Sequence, residues 1–349
     1  MNRRQMMAGA AALTAVSSSR AGARMIVPAE EDTHEATFMQ WPNSRSVYAD
    51  AYFLRITQQT IARIANTIAE FEPVVMLAPA DAGGLNRLSD AVDVWDIPTE
   101  DLWARDSGPL FARRGGELVV SHIQFNGWGG KQVHRRDGAV AAEVARRLGL
   151  PLIPAGLRGE PGGVDHDGHG LMIAHESSWV NDKRNPGLGR DGIEALLLAA
   201  YGADRMIWAP GVRGRDITDY HIDALARFTA PGRVLMNLPD DPYPDDPFAA
   251  AAADTHDILV AAGLDVEVIS EPNRRRVGSA DFVASYANYY ACNGAIIAAE
   301  FGDPETDPAA EEALACHYPG REIVLLNVDP LGELGGGIHC ATQQMPKLD

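Results

Sequence analysis

The chain has 349 residues, of which 46% are hydrophobic, and it carries a formal net charge of −18. This length and apolar content allow two ordinary domains or one large domain built from repeated units. The negative charge disfavours binding to nucleic acid and to anionic membranes, and it favours attraction of small cations to a cleft.

The first residues have the composition of an export signal. The pair Arg3-Arg4 is followed by the small apolar run 8–16 and by Ala21-Gly22-Ala23, which offers a cleavage site. The apolar run is too short to span a bilayer. We therefore expect residues 1–23 to be a cleaved twin-arginine signal and residues 24–349 to form a single catalytic domain in the periplasm or outside the cell. The alternative is a basic leader on a cytoplasmic enzyme.

Helical and β-rich patterns alternate along the rest of the chain. Helices are predicted over residues 52–71, 138–148, 192–201, 248–262 and 308–315. Strands are predicted over residues 74–77, 118–120, 233–236, 266–269 and 323–326. This order predicts an α/β fold, and the alternation alone favours one doubly wound sheet.

Residues 165–169, Asp-His-Asp-Gly-His, contain the side chains that bind first-row metal ions. Their spacing matches no closed structural zinc pattern, and no second Cys or His cluster accompanies them. Aspartate and glycine at these positions are typical of a tight turn. We therefore predict a turn between two strands here and no metal site.

One of the three cysteines lies in a setting that suits a nucleophile. Cys340 follows the run Gly335–Gly337, which lets the backbone approach a ligand closely, and polar residues follow it. Cys292 lies in an apolar run and is predicted to be buried, and Cys316 lies on a predicted helix. An odd number of cysteines argues against a disulfide framework. The alternative for Cys340 is an incidental thiol in a flexible C-terminal loop.

Two upstream segments offer partners for this thiol. His221 and Asp223 are two residues apart, so in an extended strand end their side chains point to the same face. Trp103 and Asp106 add a ring and a second carboxylate. A thiol, an imidazole, two carboxylates and an aromatic ring together suit a planar, cationic substrate.

With these residues the chain resembles the agmatine deiminase and Porphyromonas-type peptidylarginine deiminase family of guanidine-modifying enzymes. The resemblance extends over residues 27–346, and further matching stretches are 28–30, 34–36, 41–42, 125–130, 181–186, 284–288 and 301–303. It implies a five-bladed α/β propeller, the pentein fold, in which five ββαβ units surround a pseudo-fivefold axis with the site at the central channel.

The resemblance also implies the roles of the site residues. Cys340 would attack the guanidinium carbon, while Asp106 and Asp223 hold the guanidinium nitrogens. His221 would protonate the departing ammonia and then deprotonate a water molecule, and Glu160 would orient His221. The product would be a ureido compound, formed through a covalent thiouronium without metal or organic cofactor.

Substrate binding is implied for residues that flank this chemistry. They are Trp103, Asn288, Gly336 and Gly337. Arg215, together with Arg213, could pair with a substrate carboxylate. Such a pair would favour arginine or a peptide end, whereas agmatine, which would become N-carbamoylputrescine, has no carboxylate.

The chain departs from the family pattern at three positions. Pro161 interrupts the expected Glu-Gly-Gly, and beside Glu160 it fixes φ and removes a backbone donor. Tyr220 stands where relatives usually carry glycine, and Ala224 where asparagine is common.

The favoured activity is agmatine deimination, with peptidylarginine or free arginine as the alternative substrate. Two further hypotheses are an amidinotransferase, which would pass the amidino group to an amine, and a non-catalytic binding protein of the same fold. The presence of all the catalytic residue types in the family's order disfavours the binding protein. The sequence does not predict an oligomeric state.

Overall fold

The computed structural model describes residues 23–243, 245–279 and 282–348. The predicted export signal, apart from Ala23, lies outside these residues. The described residues contain seventeen strands: β1 (Met25–Ile26), β2 (His34–Gln40), β3 (Val74–Ala78), β4 (Val92–Asp96), β5 (Leu110–Arg114), β6 (Glu117–Gln124), β7 (Leu152–Arg158), β8 (Val164–His166), β9 (Leu171–His175), β10 (Arg205–Ala209), β11 (Ala226–Ala230), β12 (Arg233–Leu238), β13 (Asp265–Ser270), β14 (Tyr290–Cys292), β15 (Ala295–Glu300), β16 (Glu322–Asn327) and β17 (Thr342–Pro346).

Helices connect these strands. They are α1 (Ala51–Ile68), α2 (Ala104–Ser107), α3 (Asp137–Leu148), α4 (Glu176–Trp179), α5 (Arg190–Tyr201), α6 (Pro247–Ala261), α7 (Thr306–His317) and α8 (Asp329–Glu333). Three short 3₁₀ turns span Leu85–Arg87, Pro161–Gly163 and Ile222–Ala224. A further turn, Gly127–Gly130, has a left-handed backbone at all four residues. In the described part of the chain, none of the helices is both long and apolar enough to cross a bilayer.

The strands form five sheets within the described residues, not the single doubly wound sheet that alternation alone favours. Their strand orders are β1-β5-β6-β7, β10-β9-β8, β11-β12-β13, β14-β15-β16 and β17-β2-β3-β4. The α/β class is therefore correct. The expectation of a single sheet is wrong, because each helical crossover returns the chain to the sheet that it left, so no sheet grows into the next.

One connection pattern recurs in all five sheets. Each contains an antiparallel pair followed by a parallel strand: β5-β6-β7, β8-β9-β10, β11-β12-β13, β14-β15-β16 and β17-β2-β3. In each sheet a helix links the two parallel strands: α3, α5, α6, α7 and α1, respectively. The unit is therefore ββαβ, with the C-terminal strand β17 pairing with β2 to complete the last sheet.

The linking helices bury one face against strands of their own sheet, of a neighbouring sheet, or of both; α5, for example, contacts β1, β6 and β7 as well as β10. In α1 the buried side chains include Ile61, Ile64, Ala65 and Ile68, which follow helical spacing. Asp50 caps its first turn by accepting a hydrogen bond from the Tyr52 amide. This packing leaves the loops between units free to carry the polar residues of the site.

Candidate active site

The five residues assigned catalytic roles lie together, although four separate segments supply them. The Cys340 Sγ lies 3.4 Å from Asp223 Oδ2. The imidazole of His221 lies between two carboxylates, with Nδ1 3.7 Å from Asp106 Oδ1 and Nε2 3.2 Å from Glu160 Oε2. All of these side chains are buried except Cys340, which is half-buried.

Gly162 marks the point on which the site converges. A β-carbon at Gly162 would lie 2.7 Å from Asp106 Oδ1, 3.0 Å from His221 Nδ1 and 3.1 Å from Asp223 Oδ2. Three polar atoms from two segments therefore surround one small space. Only glycine leaves that space open.

The local structure at His221 differs from the predicted strand end. His221 has an extended backbone but immediately precedes the 3₁₀ turn Ile222–Ala224, which contains Asp223. The strand expectation is therefore wrong, because the chain turns before β11 begins. The short turn nonetheless keeps the imidazole and the carboxylate beside the same glycine.

The residue before His221 explains one departure from the family pattern. Asp219 and Tyr220 have φ of 61° and 70°, in the left-handed region where glycine is the unstrained residue. The Tyr220 ring stacks on His175, with ring centroids 4.6 Å apart. This stacking and the edge contact with Phe248 hold a tyrosine in a conformation that usually selects glycine.

Glu160 contacts His221 and is itself held by Arg184. The Arg184 Nε lies 3.0 and 2.8 Å from the two Glu160 oxygens, and its Nη1 lies 2.7 Å from Asp219 Oδ2. Burial alone would raise the pKa of Glu160, but Arg184 and the hydrogen bond with His221 lower it overall. Pro161 is compatible with this local structure, because it occupies the first position of a 3₁₀ turn, where a backbone donor is not needed.

His221 and Asp106 shift each other's protonation. Burial by itself lowers the pKa of His221, but Asp106 and Glu160 outweigh it and raise the pKa to about 9. Burial raises the pKa of Asp106 to about 7, even though His221 opposes the shift. This shift favours the cationic form of His221 at neutral pH, which is the form that a general acid requires.

The two candidate substrate-binding carboxylates each keep one oxygen free. Asp106 Oδ2 accepts a hydrogen bond of 2.8 Å from the Trp128 indole, and Asp223 Oδ2 faces His339 Nδ1 at 2.8 Å. Among the described residues, nothing donates a hydrogen bond to Asp106 Oδ1 or Asp223 Oδ1, and both atoms are buried. Burial would raise the pKa of Asp223, but the His339 hydrogen bond lowers it overall.

Cys340 is held as a thiol in this environment. Burial and the negative charges of Asp223 and Asp106 raise the pKa of Cys340 well above its ordinary value. Asn288 donates a hydrogen bond of 3.2 Å to the sulfur. A thiol is a weak nucleophile, so the protein alone does not activate Cys340.

The remaining predicted binding residues divide into two groups. Trp103, Gly336 and Gly337 lie at the site, since a β-carbon at Gly336 would lie 2.6 Å from the Trp103 ring and 3.3 Å from the Cys340 sulfur. Arg215 is exposed and is not among the partners of the catalytic side chains. Arg213 is also exposed and donates to the Val180 carbonyl.

Residues 167–170 connect strands β8 and β9, but Asp165 and His166, which were predicted to belong to the turn, lie in β8. Asp165 accepts a hydrogen bond of 3.0 Å from Arg227 Nε, which gives this carboxylate a structural partner. Within the described residues no group of three or more His, Cys, Asp and Glu side chains is arranged to hold a metal ion.

Three residues that complete the site were not predicted from the sequence. They are Gly162, which leaves the central space open, Trp128, which orients Asp106, and Arg184, which holds Glu160. Each lies in or beside a matching stretch, but none is a typical catalytic residue type. The glycine-rich run around Trp128 was the one available signal, because its left-handed backbone turns the indole toward the site.

Comparison with known proteins places this geometry in context. The model of the Porphyromonas-type peptidyl-arginine deiminase family matches residues 26–346. The Streptomyces coelicolor protein named "Putative agmatine deiminase" is 33% identical over 338 residues, which cover 92% of this chain and 98% of that protein.

Solved structures show the same fold. The agmatine deiminase of Enterococcus faecalis superposes with a TM-score of 0.84 at 25% identity, over 93% of this chain and 96% of that chain. A dimethylarginine dimethylaminohydrolase superposes with a TM-score of 0.53 at 11% identity, over 90% of this chain and 100% of that chain. The second comparison concerns the fold alone.

Proposed function

The chain belongs to the Porphyromonas-type peptidyl-arginine deiminase family, and from this premise we propose that it hydrolyses the guanidino group of agmatine to a ureido group and ammonia. One observation carries the proposal: Asp106 and Asp223 each present a buried, unbonded carboxylate oxygen beside the Cys340 thiol and the His221 imidazole. A buried acceptor without a donor is unfavourable, so this pair favours a ligand that supplies several N–H groups.

A guanidinium group meets that requirement. It is planar, cationic and carries N–H donors on all three nitrogens, so it can bond Asp106 and Asp223 at once through charge-assisted hydrogen bonds. The two carboxylates would fix the plane of the group and present its central carbon to the Cys340 sulfur.

Substrate binding would also activate the nucleophile. The pKa of Cys340 is raised because the thiolate would lie beside Asp223 and Asp106 in a buried site. A bound guanidinium neutralises much of that negative charge and favours the thiolate. The Cys340 thiol lies 3.4 Å from Asp223 Oδ2. As the guanidinium binds, the thiol proton would leave to the solvent, so that Asp223 stays ionised and holds the substrate.

The remaining steps follow from the protonation of His221. The thiolate adds to the guanidinium carbon, and the His221 imidazolium then protonates one nitrogen, so that the C–N bond breaks and ammonia leaves. A positively charged thiouronium remains on Cys340. Neutral His221 takes a proton from water, the hydroxide adds to the carbon, and the C–S bond breaks to release the ureido product as the hydroxyl proton returns to sulfur.

The substrate assignment rests on the relatives and on the position of the candidate arginines. The Enterococcus faecalis protein is an agmatine deiminase and the Streptomyces coelicolor protein bears the name "Putative agmatine deiminase", and agmatine lacks the carboxylate that Arg215 would recognise. Arg215 is exposed and unconnected to the catalytic side chains, which favours agmatine over free arginine or a peptide. The family description names peptidyl-arginine, so arginine substrates remain the second candidate.

Ammonia release from purified residues 24–349 tests the proposal. Agmatine, arginine and a peptide with C-terminal arginine would be compared, with Cys340→Ser as the inactive control and Arg215→Ala as the specificity control. Turnover of agmatine that Arg215→Ala leaves unchanged supports the proposal. A preference for arginine that is lost in Arg215→Ala would replace agmatine by a carboxylate-bearing substrate. No ammonia from any of the three would refute deimination of these substrates.

We extend the proposal to architecture and location. The fivefold recurrence of the ββαβ unit supports a five-bladed pseudo-symmetric propeller with the site near its axis. The family match across residues 26–346 supports one catalytic domain. Export through a twin-arginine signal rests on residues 1–23 of the sequence alone, and microscopy of a fluorescent fusion with and without Arg3-Arg4 would test it.

A further inference from the structure

The residue before the nucleophile joins the active site to a buried ionic network. The imidazole of His339 lies between two carboxylates, with Nδ1 2.8 Å from Asp223 Oδ2 and Nε2 2.9 Å from Glu30 Oε2. His339 is only 3% exposed, and both carboxylates are buried as well. The catalytic roles described above do not use this side chain.

Glu30 is held firmly in its ionised form. Its Oε2 also lies 2.8 Å from Arg105 Nη2, and its Oε1 lies 3.0 Å from Arg227 Nη2. The Ala291 amide donates to Oε1 at 3.0 Å. With two guanidinium groups and a backbone N–H around it, Glu30 acts as an acceptor and has no proton to give to His339.

The protonation of His339 follows from these contacts. A neutral imidazole carries one N–H and can donate to only one of two ionised carboxylates. The other ring nitrogen would then point its lone pair at a carboxylate oxygen less than 3 Å away, which is repulsive. Both contacts are favourable only if each ring nitrogen carries a proton.

We propose that His339 is a positioning residue, an imidazolium that bridges Glu30 and Asp223 and thereby fixes the substrate-binding carboxylate of the proposed deiminase. The bridge engages Asp223 Oδ2 and leaves Oδ1 for the guanidinium. It also supplies a fixed positive charge that keeps Asp223 ionised while the site is empty. The bridge itself is inferred from geometry alone. Its effect on substrate binding rests on the proposed function.

The network gives this bridge a rigid base. The Arg105 amide donates to the Cys340 carbonyl at 3.0 Å, and its guanidinium bonds Gln344 as well as Glu30. Arg105 therefore holds the Cys340 segment and Glu30, the carboxylate that contacts His339, in a fixed arrangement. Glu30 comes from the segment that follows β1, so the N-terminal part of the described chain contributes to the site.

Two variants separate positioning from general structural support. His339→Asn removes the imidazolium, and Glu30→Gln removes the carboxylate that holds it. His34→Asn is the matched control, because His34 is also a buried imidazole on a buried carboxylate, Glu72, and contacts the Glu30 carbonyl but neither its carboxylate nor Asp223. Steady-state kinetics with agmatine, thermal melting and the pH profile of kcat/KM would be recorded for each.

We expect His339→Asn to lower kcat/KM by about 10- to 100-fold, the effect of losing a hydrogen bond between charged groups. The titratable and charged groups that act on Asp223 are His339, His221, Cys340, Arg227 and Asp106, and removal of the His339 contact raises the pKa of Asp223. The acid limb of the pH profile should therefore move to higher pH. Glu30→Gln should act in the same direction, and the double variant should lose less than the product of the two single effects.

A structural role alone would give a different result. In that case His339→Asn and His34→Asn would both lower the melting temperature, and the pH profile of the surviving activity would match that of the wild type. This outcome would overturn the proposal.

A spectroscopic measurement keeps the proposal testable without activity. In ¹⁵N-histidine-labelled Cys340→Ser protein, with His339→Asn used to assign the signal, both ring nitrogens of His339 should be protonated at pH 7–8. A singly protonated ring would overturn the bridge. A wild-type protein that releases no ammonia would refute the proposed deimination instead, and the NMR result would still decide the protonation of His339.

Discussion

Substitution of Gly162 by alanine tests the convergence of the site most directly. A β-carbon there would lie 2.7 Å from Asp106 Oδ1, whereas ordinary contact begins at 3.4 Å, so the carboxylate must move by about 0.7 Å. His221 Nδ1 at 3.0 Å and Asp223 Oδ2 at 3.1 Å must also move, by smaller amounts. All three groups are buried and hydrogen-bonded, so they cannot swing away freely.

The expected loss follows from the size of this shift. Misplacement of catalytic groups by about 1 Å can reduce the rate about 100-fold. We therefore expect Gly162→Ala to lower kcat/KM for agmatine by about 10- to 100-fold. Overpacking of a filled interior also costs about 1–3 kcal/mol of unfolding free energy.

Ammonia release and chemical denaturation would be measured on the same preparation. Gly83→Ala is the matched control, because a β-carbon at Gly83 has no atom within 4 Å. If folded Gly162→Ala kept kcat/KM within about twofold of the wild type, the three groups could not be confined around this glycine as described.

Three further predictions follow from the protonation states. In a Cys316→Ser background, Cys340 should react slowly with iodoacetamide at pH 7, and its rate should keep rising beyond pH 9, because its pKa is raised; an early plateau would contradict this. Glu160→Gln should lower the pKa of His221 from about 9, so the alkaline limb of the kcat profile should move to lower pH and kcat should fall at least about tenfold. Asp106→Asn should abolish activity yet stabilise the fold by about 1–2 kcal/mol at pH 8. The pKa of Asp106 rises from 3.8 to about 7 on folding, so its contribution to the stability of the wild-type protein is present below pH 4 and is lost as the pH rises through 7. The difference in melting temperature between Asp106→Asn and the wild type should therefore widen over that range. A difference that stays constant with pH would contradict the reasoning.

The fold was predictable in its elements but not in their pairing. The helix predicted at 52–71 forms as Ala51–Ile68, and it ends early because the chain turns at Phe71, whose amide bonds the Ile68 carbonyl. Strands such as β12 were visible because their apolar runs are continuous. The short antiparallel partners β8 and β14, with three residues each, are too brief to give a period. Without them the repeated unit is invisible in the sequence.

The site was predictable where residue type and chemistry coincide. Cys340 was identified by its glycines, and the structure brings it beside Asp223. The electrostatic partners of the site were not predictable, because Arg184 and Trp128 act through contacts that form only in the fold. Arg215 was predicted to bind substrate on its charge alone. The sequence near a motif does not show which way an exposed arginine side chain points.

The charges of the empty site explain how substrate and product can differ in affinity. Burial raises the pKa of Asp106 to about 7 and keeps Cys340 as a thiol. Both groups therefore disfavour the ionised form that their proposed roles require until a cation binds. A guanidinium relieves both conditions at once, which couples binding to activation of the nucleophile. The ureido group of the product has no charge, so it cannot compensate Asp106 and Asp223. The carboxylates that we propose bind the substrate would therefore favour release of the product.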